Sequence, residues 1–233
     1  MYNTKIELIE ICHKIAKEKY VTSHGGNLSC RIDDTVLITP TKTNKGDVTL
    51  QNLVEVDVRT GNTKFPYMKP TGELPFHLHL YKNRPDINCI VHAHPPILTG
   101  FAIARSRELE YAYLPEVAFE LGSVQTVKYA EPCSDALAES FNDVLHKGNA
   151  FLMENHGITI VGCDGIKRCF EMLEMLEAQA QSIVVAKTLY GPAGVHKIEK
   201  RDLININNVM KNRNLKLPCK PGYVKELVDL FKF

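Results

Sequence analysis

The chain has 233 residues, with 28 Lys and Arg against 27 Asp and Glu, and a net charge of +1 that gives no electrostatic case for nucleic acid or a membrane surface as partner. A hydrophobic content of 44% with 24% charged residues is that of a globular protein able to bury a sizeable core. No Pro/Gly/Ser-rich linker or charge block divides the sequence, which reads as one domain.

The opening stretch, MYNTKIELIEICHKIAKEKY, is charged throughout and lacks the apolar core of a signal peptide, and no later run approaches a membrane span. Cys12, Cys30, Cys89, Cys133, Cys163, Cys169 and Cys219 show neither CxxC spacing nor a paired framework. The expectation is a reduced, cytoplasmic protein with mostly buried thiols and no cysteine-built zinc site.

In chain order, Thr4-x-x-Glu7 has the form of a capping box, and Leu8, Ile9, Cys12, Ile15 and Ala16 recur at helical spacing, predicting a first helix that ends near Lys19. Leu28 to Ile32, the turn Asp33-Asp34 and TVLITP predict a hairpin, and LVEVDV a further strand before a turn at Thr60 to Asn62. Pro75 suits a first helical turn, and the pattern runs through FHLHLYKNR until Pro85. NCIVHA reads as a core strand. A helix near Ile97 to Ser106, a strand at VQTVKY, a helix opened by Ser134, and paired strands at AFLMEN and GITIVG follow. From Gly165 to Tyr190, the residues Phe170, Leu173, Leu176, Ala180, Ile183, Val184 and Leu189 form an apolar stripe closed by Gly191-Pro192, predicting a long helix that covers the sheet. The tail is polar and loop-rich up to GYVKELVDLFKF, whose amphipathic pattern predicts a docked helix or a partner-binding segment. This order of elements gives an α/β fold with a central, mainly antiparallel sheet and flanking helices.

Two His-x-His pairs stand out, and backbone geometry separates them. In a strand, residues i and i+2 project from the same face, whereas in a helix they lie about 200° apart around the axis. HLHLYKNR belongs to the Pro75 helix and CIVHA to a strand, so His92 and His94 are candidate chelators while His77 and His79 diverge. The alternative for a lone pair is two imidazoles that are solvated or satisfied in the core. MENHGITI adds His156, after an apolar strand and before the turn-favouring Gly157. Three neutral imidazoles leave positions on Zn²⁺ open to substrate oxygens, as a catalytic site requires. Glu73, just ahead of the Pro75 helix, admits three readings: a fourth ligand that yields to substrate, a general base beside the metal, or a carboxylate favoured by the helix dipole. SHGGNLS, ITPTKT and Thr71-Gly72 offer amides, hydroxyls and a cation suited to an anion, without Walker or Rossmann spacing.

Taken together, GGNLS, ITPT, KPTGELPFHLHLY, RPDINCIVHAHPP, LPEVAFELGS and FLMENHGITIVG resemble, in that order, the class II aldolase/adducin family, and within it the L-fuculose-1-phosphate aldolase branch. The resemblance runs from about residue 4 to residue 190, leaving 191–233 as a C-terminal extension of a single domain. It implies a three-layer α/β/α fold around a mainly antiparallel sheet, and a homotetramer with active sites between subunits. It makes His92, His94 and His156 the zinc ligands and Glu73 the catalytic carboxylate. Gly26, Asn27, Thr41, Thr71 and Gly72 fall at the family's phosphate-binding segments, with Lys42 beside them as an added charge. A tyrosine from the neighbouring subunit is the implied proton donor, and Tyr113, next to the matching position Leu114, is the candidate. Three features depart from the family pattern. Thr71-Gly72 stands where relatives carry a serine pair, Lys42 where they often carry glycine, and the tail VMKNRNLKLPC has no counterpart of the aromatic residues that close their pocket.

The activity so implied is Zn²⁺-dependent, reversible cleavage of a ketose 1-phosphate, similar to L-fuculose 1-phosphate, to dihydroxyacetone phosphate and a small aldehyde such as lactaldehyde. Alternatives within the family are 5-deoxyribulose-1-phosphate aldolase, methylthioribulose-1-phosphate dehydratase and L-ribulose-5-phosphate 4-epimerase, whose members tend to carry aspartate at the position of Glu73. From another class comes a non-catalytic, adducin-like binding protein, which lacks the complete metal set.

Overall fold

A seven-stranded sheet organises the computed structural model, which describes residues 1–233. Its strands are β1 (Asn27–Ile32), β2 (Thr35–Ile38), β3 (Val54–Asp57), β4 (Cys89–Ala93), β5 (Gln125–Val127), β6 (Ala150–Met153) and β7 (Gly157–Gly162), in the order β3-β2-β1-β4-β7-β6-β5. Neighbours are antiparallel except β5 and β6. The helices are α1 (Tyr2–Lys17), α2 (Leu74–Asn83), α3 (Pro96–Ile103), α4 (Pro115–Glu120), α5 (Asp135–Glu139), α6 (Ile166–Tyr190) and α7 (Lys200–Asn212).

Strand alternation divides the core into two layers. Cys89, Val91 and Ala93 of β4 pack with Leu28, Cys30, Ile158 and Ile160 under α1, α3, α4 and α6. Ile90 of β4 faces the other way, among Val36, Ile38, Val161 and the buried face of α2 and α5. The three-layer α/β/α arrangement follows. His92 has the parity of Ile90 and therefore points into the α2 layer. No helix is long and apolar enough to cross a membrane. Five of the seven cysteines are buried, Cys133 and Cys163 are exposed, and none is disulfide-bonded.

Three local expectations need correction. The first helix starts at Tyr2 with Met1 as its cap, so Thr4 lies inside the first turn and the capping box does not form. GYVKELVDLFKF is not a helix but an irregular segment with one 3-10 turn at Leu227–Leu230. The tail's helix is instead α7, in a stretch whose asparagines carry low helix propensity. Tertiary contact decides there: Leu203 and Met210 pack with Leu227, Leu230 and Phe231 in a third cluster, and the Asn207 side chain accepts from Leu227 N at 2.9 Å.

One tertiary contact positions the segment after His94. Pro95 caps α3 and has no side-chain oxygen to offer its free amides. The buried carboxylate of Glu177 on α6 takes that role, accepting from Ile97 N and Leu98 N at 2.9 Å each. An anion at a helix N-terminus with two amide donors is a strong arrangement. Glu177→Gln retains one acceptor and leaves the other amide buried and unpaired, and is expected to lower unfolding free energy by about 2 kcal/mol in urea melts with an unchanged m-value.

Candidate metal centre

The β4–β7 ladder pairs His92 with Thr159 and Ala93 with Ile158. His94, one residue beyond β4, therefore meets His156 in the turn that joins β6 to β7. The backbone of His94 is fixed by its N–H donating to Tyr20 O at 2.8 Å. The imidazole Nε2 atoms of His92 and His94 lie 3.1 Å apart, and one nitrogen from each of His92, His94 and His156 falls within a 4.8 Å set. Gly157 makes the closure fit: a Cβ there would stand 2.4 Å from His94 Cδ2 and 2.5 Å from Ala93 O.

His92 Nδ1 lies 3.0 Å from Ile158 O, and a carbonyl only accepts, so Nδ1 carries the proton and Nε2 presents its lone pair to the cluster. Phe76 packs edge-on against the ring. Burial holds His92 well below the usual histidine range despite the attraction of Glu73, and burial together with repulsion from His156 lowers His94 to about 4. Both are neutral donors at neutral pH, the state a metal ligand needs.

Glu73 stands at the cap position of α2 but makes no capping bond to its own helix. Its carboxylate turns to the histidines, with Oε2 3.3 Å from His92 Nε2 and Oε1 3.3 Å from His156 Nε2. Burial raises its pKa, but its interaction with His92 and the hydrogen bonds from His156 and Asn27 outweigh that and hold it below the usual carboxylate range. A buried chain of donors leads to it. Tyr81 and Ser29 hydroxyls are 2.8 Å apart, Ser29 Oγ is 2.7 Å from His77 Nδ1, His77 Nε2 is 2.5 Å from Asn27 Oδ1, and Asn27 Nδ2 donates to Glu73 Oε2 at 2.7 Å. One neutral His77 tautomer satisfies every link, with Nε2 donating to Asn27 and Nδ1 accepting from Ser29. Burial lowers His77 to about 3, so that neutral form persists.

The donor set fits a zinc-type ion. Three imidazoles and one carboxylate converge, and Glu73 Oε1 and His156 Nδ1 are buried with no hydrogen-bond partner. Nitrogens on a tetrahedral Zn²⁺ stand about 3.4 Å apart, close to the His92–His94 spacing.

Around this cluster the strand-end loops are tied together: Thr41 N donates to Lys69 O and Thr71 N to Thr39 O. Gly26, at φ +66°, passes so close to β4 that a Cβ would lie 2.8 Å from His92 O. Asn27 has both ends of its amide engaged, by Glu73 and His77, which places it behind the carboxylate. Thr41 and Thr71 are half-buried, and Thr71 Oγ1 accepts from Glu73 N at 3.3 Å. Lys42 is exposed in a left-handed conformation, φ 52°, which is the backbone state that favours glycine. The space of a Gly72 side chain is taken by Cys133, whose Sγ would stand 2.7 Å from a Cβ. Tyr113 donates its hydroxyl to Glu108, which also pairs with Lys187, so in one protomer its partners lie outside the histidine cluster.

The helical expectation for HLHLY holds: His77 is buried and His79 turns away to Asn142 Oδ1 at 2.8 Å. The sequence reading ruled out His77 and His79 as a chelating pair and missed the support His77 gives Asn27. Its spacing of four from Glu73, which places both on one face of α2, was the available signal.

The profile of the Class II Aldolase and Adducin N-terminal domain matches residues 6–184. The L-fuculose phosphate aldolase of Methanococcus maripaludis is 35% identical over 176 residues, 76% of this chain and 93% of that protein. The 3-oxo-tetronate 4-phosphate decarboxylase of Haemophilus influenzae is 32% identical over 161 residues, 67% of this chain and 76% of that protein. Among solved structures, an L-fuculose 1-phosphate aldolase superposes with a TM-score of 0.80 at 26% identity, covering 91% of this chain and 97% of that one.

His77 also predicts an acid sensitivity. Its folded pKa of about 3 lies below the ordinary 6.5, so its stabilising contribution is complete above pH 6.5 and is lost as pH falls towards 3. Between pH 6.5 and 5 this residue alone should remove about 2 kcal/mol of unfolding free energy. His77→Gln, which keeps an amide donor and acceptor but does not titrate, should lose correspondingly less over that interval in urea melts.

Proposed function

The chain belongs to the class II aldolase and adducin family and is an enzyme, and from that premise we propose that it is a zinc-dependent aldolase. Its proposed reaction is reversible cleavage of a ketose 1-phosphate, similar to L-fuculose 1-phosphate, to dihydroxyacetone phosphate and a small aldehyde similar to lactaldehyde. The observation that carries this reading is the convergence of His92, His94 and His156 with a carboxylate 3.3 Å from two of them.

His92, His94 and His156 would hold Zn²⁺, which would supply Lewis-acid stabilisation of the charge left by C–C cleavage. Glu73, anionic and oriented by Asn27, takes a proton from the hydroxymethyl carbon of dihydroxyacetone phosphate in the synthetic direction and returns it in cleavage. Tyr113 is the proposed donor to the aldehyde oxygen, presented to a neighbouring protomer's site in a homotetramer; burial and Glu108 raise its pKa and keep the phenol protonated. The segments carrying Gly26, Asn27, Thr41, Lys42, Thr71 and Gly72 are the proposed seat of the phosphate, and the cytoplasm is the proposed compartment.

A second reading is decarboxylation of a 3-oxo acid phosphate, favoured by the similarity to the Haemophilus influenzae decarboxylase. Both reactions break a C–C bond and leave an electron pair beside a carbonyl, so one base and one donor set serve either. A panel of phosphorylated ketoses and 3-oxo acids, assayed for aldehyde and for CO₂, separates them. Glu73→Gln is expected to retain metal by elemental analysis while losing about 10²–10⁴-fold in kcat on whichever substrate is turned over. His92→Ala and His156→Ala should lose metal and turnover together, and full metal retention in either variant would overturn the ligand assignment.

A further inference from the structure

Lys45 opens a 3-10 turn, Lys45–Asp47, in a stretch whose sequence, TNKGD, reads as an exposed loop. Only 1% of its surface is exposed. Its Nζ donates to Thr43 O at 2.9 Å and to His24 O at 3.3 Å, one carbonyl from each of the two loops that flank the metal centre. No carboxylate pairs with it. On one side it faces Cys12, whose thiol burial pushes up to about 12 against the pull of the ammonium, so no thiolate balances the charge. On the other side its field reaches His94 and helps to keep that ring neutral.

Two carbonyl dipoles satisfy hydrogen bonds but leave a full charge uncompensated in the interior. Such a charge is strongly unfavourable unless paired, and burial pulls the pKa of this ammonium down. An anion arriving between the two loops removes the imbalance. Lys42, by contrast, projects into solvent, where its field is screened.

We propose that Lys45 is a positioning residue of the substrate's phosphate pocket, clamping the His24 and Thr43 loops together and supplying the buried positive charge that a phosphate dianion answers. The assignment rests on the phosphorylated-substrate reading above. Lys45 acts through the loops and its field, and makes no contact with substrate.

The test uses the metal-loaded full chain with inorganic phosphate as probe, in calorimetric titration, together with steady-state kinetics on the phosphorylated substrate. Lys45→Met should weaken phosphate binding and raise KM by about tenfold or more, with kcat within about threefold of wild type and metal content unchanged. Lys167→Met, at an exposed position of α6 that has no part in the site, should shift either constant by less than about threefold. Phosphate binding by Lys45→Met as tight as wild type overturns the assignment alone. A loss of kcat as large as the rise in KM also overturns it, since that marks general disruption of the site. Lack of phosphate binding by wild type overturns the phosphorylated-substrate reading and this one with it. Should Lys45→Met fail to fold, Lys45→Gln, neutral but still a donor to one carbonyl, provides the same comparison.

Discussion

The hydrogen bond from His92 Nδ1 to the Ile158 carbonyl ties the chemistry of this protein to its sheet. Ile158 pairs with Ala93 in the β4–β7 ladder, and the same ladder ends at Gly157, the residue after His156. One register therefore sets the tautomer of the first histidine, the approach of the second and the place of the third. A slip of a single residue would send His92 into the opposite layer and dissolve all three relations at once. Gly157 belongs to the same constraint, because any side chain there would collide with the ring and backbone it must let pass.

The carboxylate is held by a different device. Phe76, His77, Leu80 and Tyr81 share the buried face of α2 and Glu73 stands at its cap, so the helix delivers the carboxylate, the aromatic wall of His92 and two members of the hydrogen-bonded chain together. Every donor in that chain runs the same way, from Tyr81 to Glu73. Fully satisfied, such a network specifies one arrangement of the core; with one member removed, its neighbours become unpaired buried dipoles. The Glu73 carboxylate is thus oriented from behind, by Asn27 and by the groups that hold Asn27.

The histidine half of this arrangement was legible because strand and helix periodicity assign opposite meanings to the same His-x-His spelling. Pro75, Pro85 and the apolar run CIVHA told the two contexts apart. What stayed hidden depended on distant segments. His77 was read only as one half of a diverging pair, and what it does for Asn27 depends on β1. Nothing local marks Lys45, because its burial comes from the packing of α1 against its own turn and not from its neighbours in sequence. The capping box at Thr4 was a valid local signal that the helix overran by starting at Tyr2. In the tail, an asparagine-rich segment became α7 through contacts with Leu227 and Phe231, while GYVKELVDLFKF after it stayed irregular.

The two ends of the sheet carry a consequence for how copies of this chain meet. Its edge strands are short, β3 with four residues and β5 with three. Residues 62–64 fold back along β3, with Asp57 N donating to Asn62 O and Lys64 N to Glu55 O. Glu110 runs beside β5, taking bonds from Ser123 and Thr126. Strand edges blunted in this way offer no template for another chain to extend the sheet. A second copy of the chain therefore has to dock on helix faces or loops and cannot add a strand to this sheet.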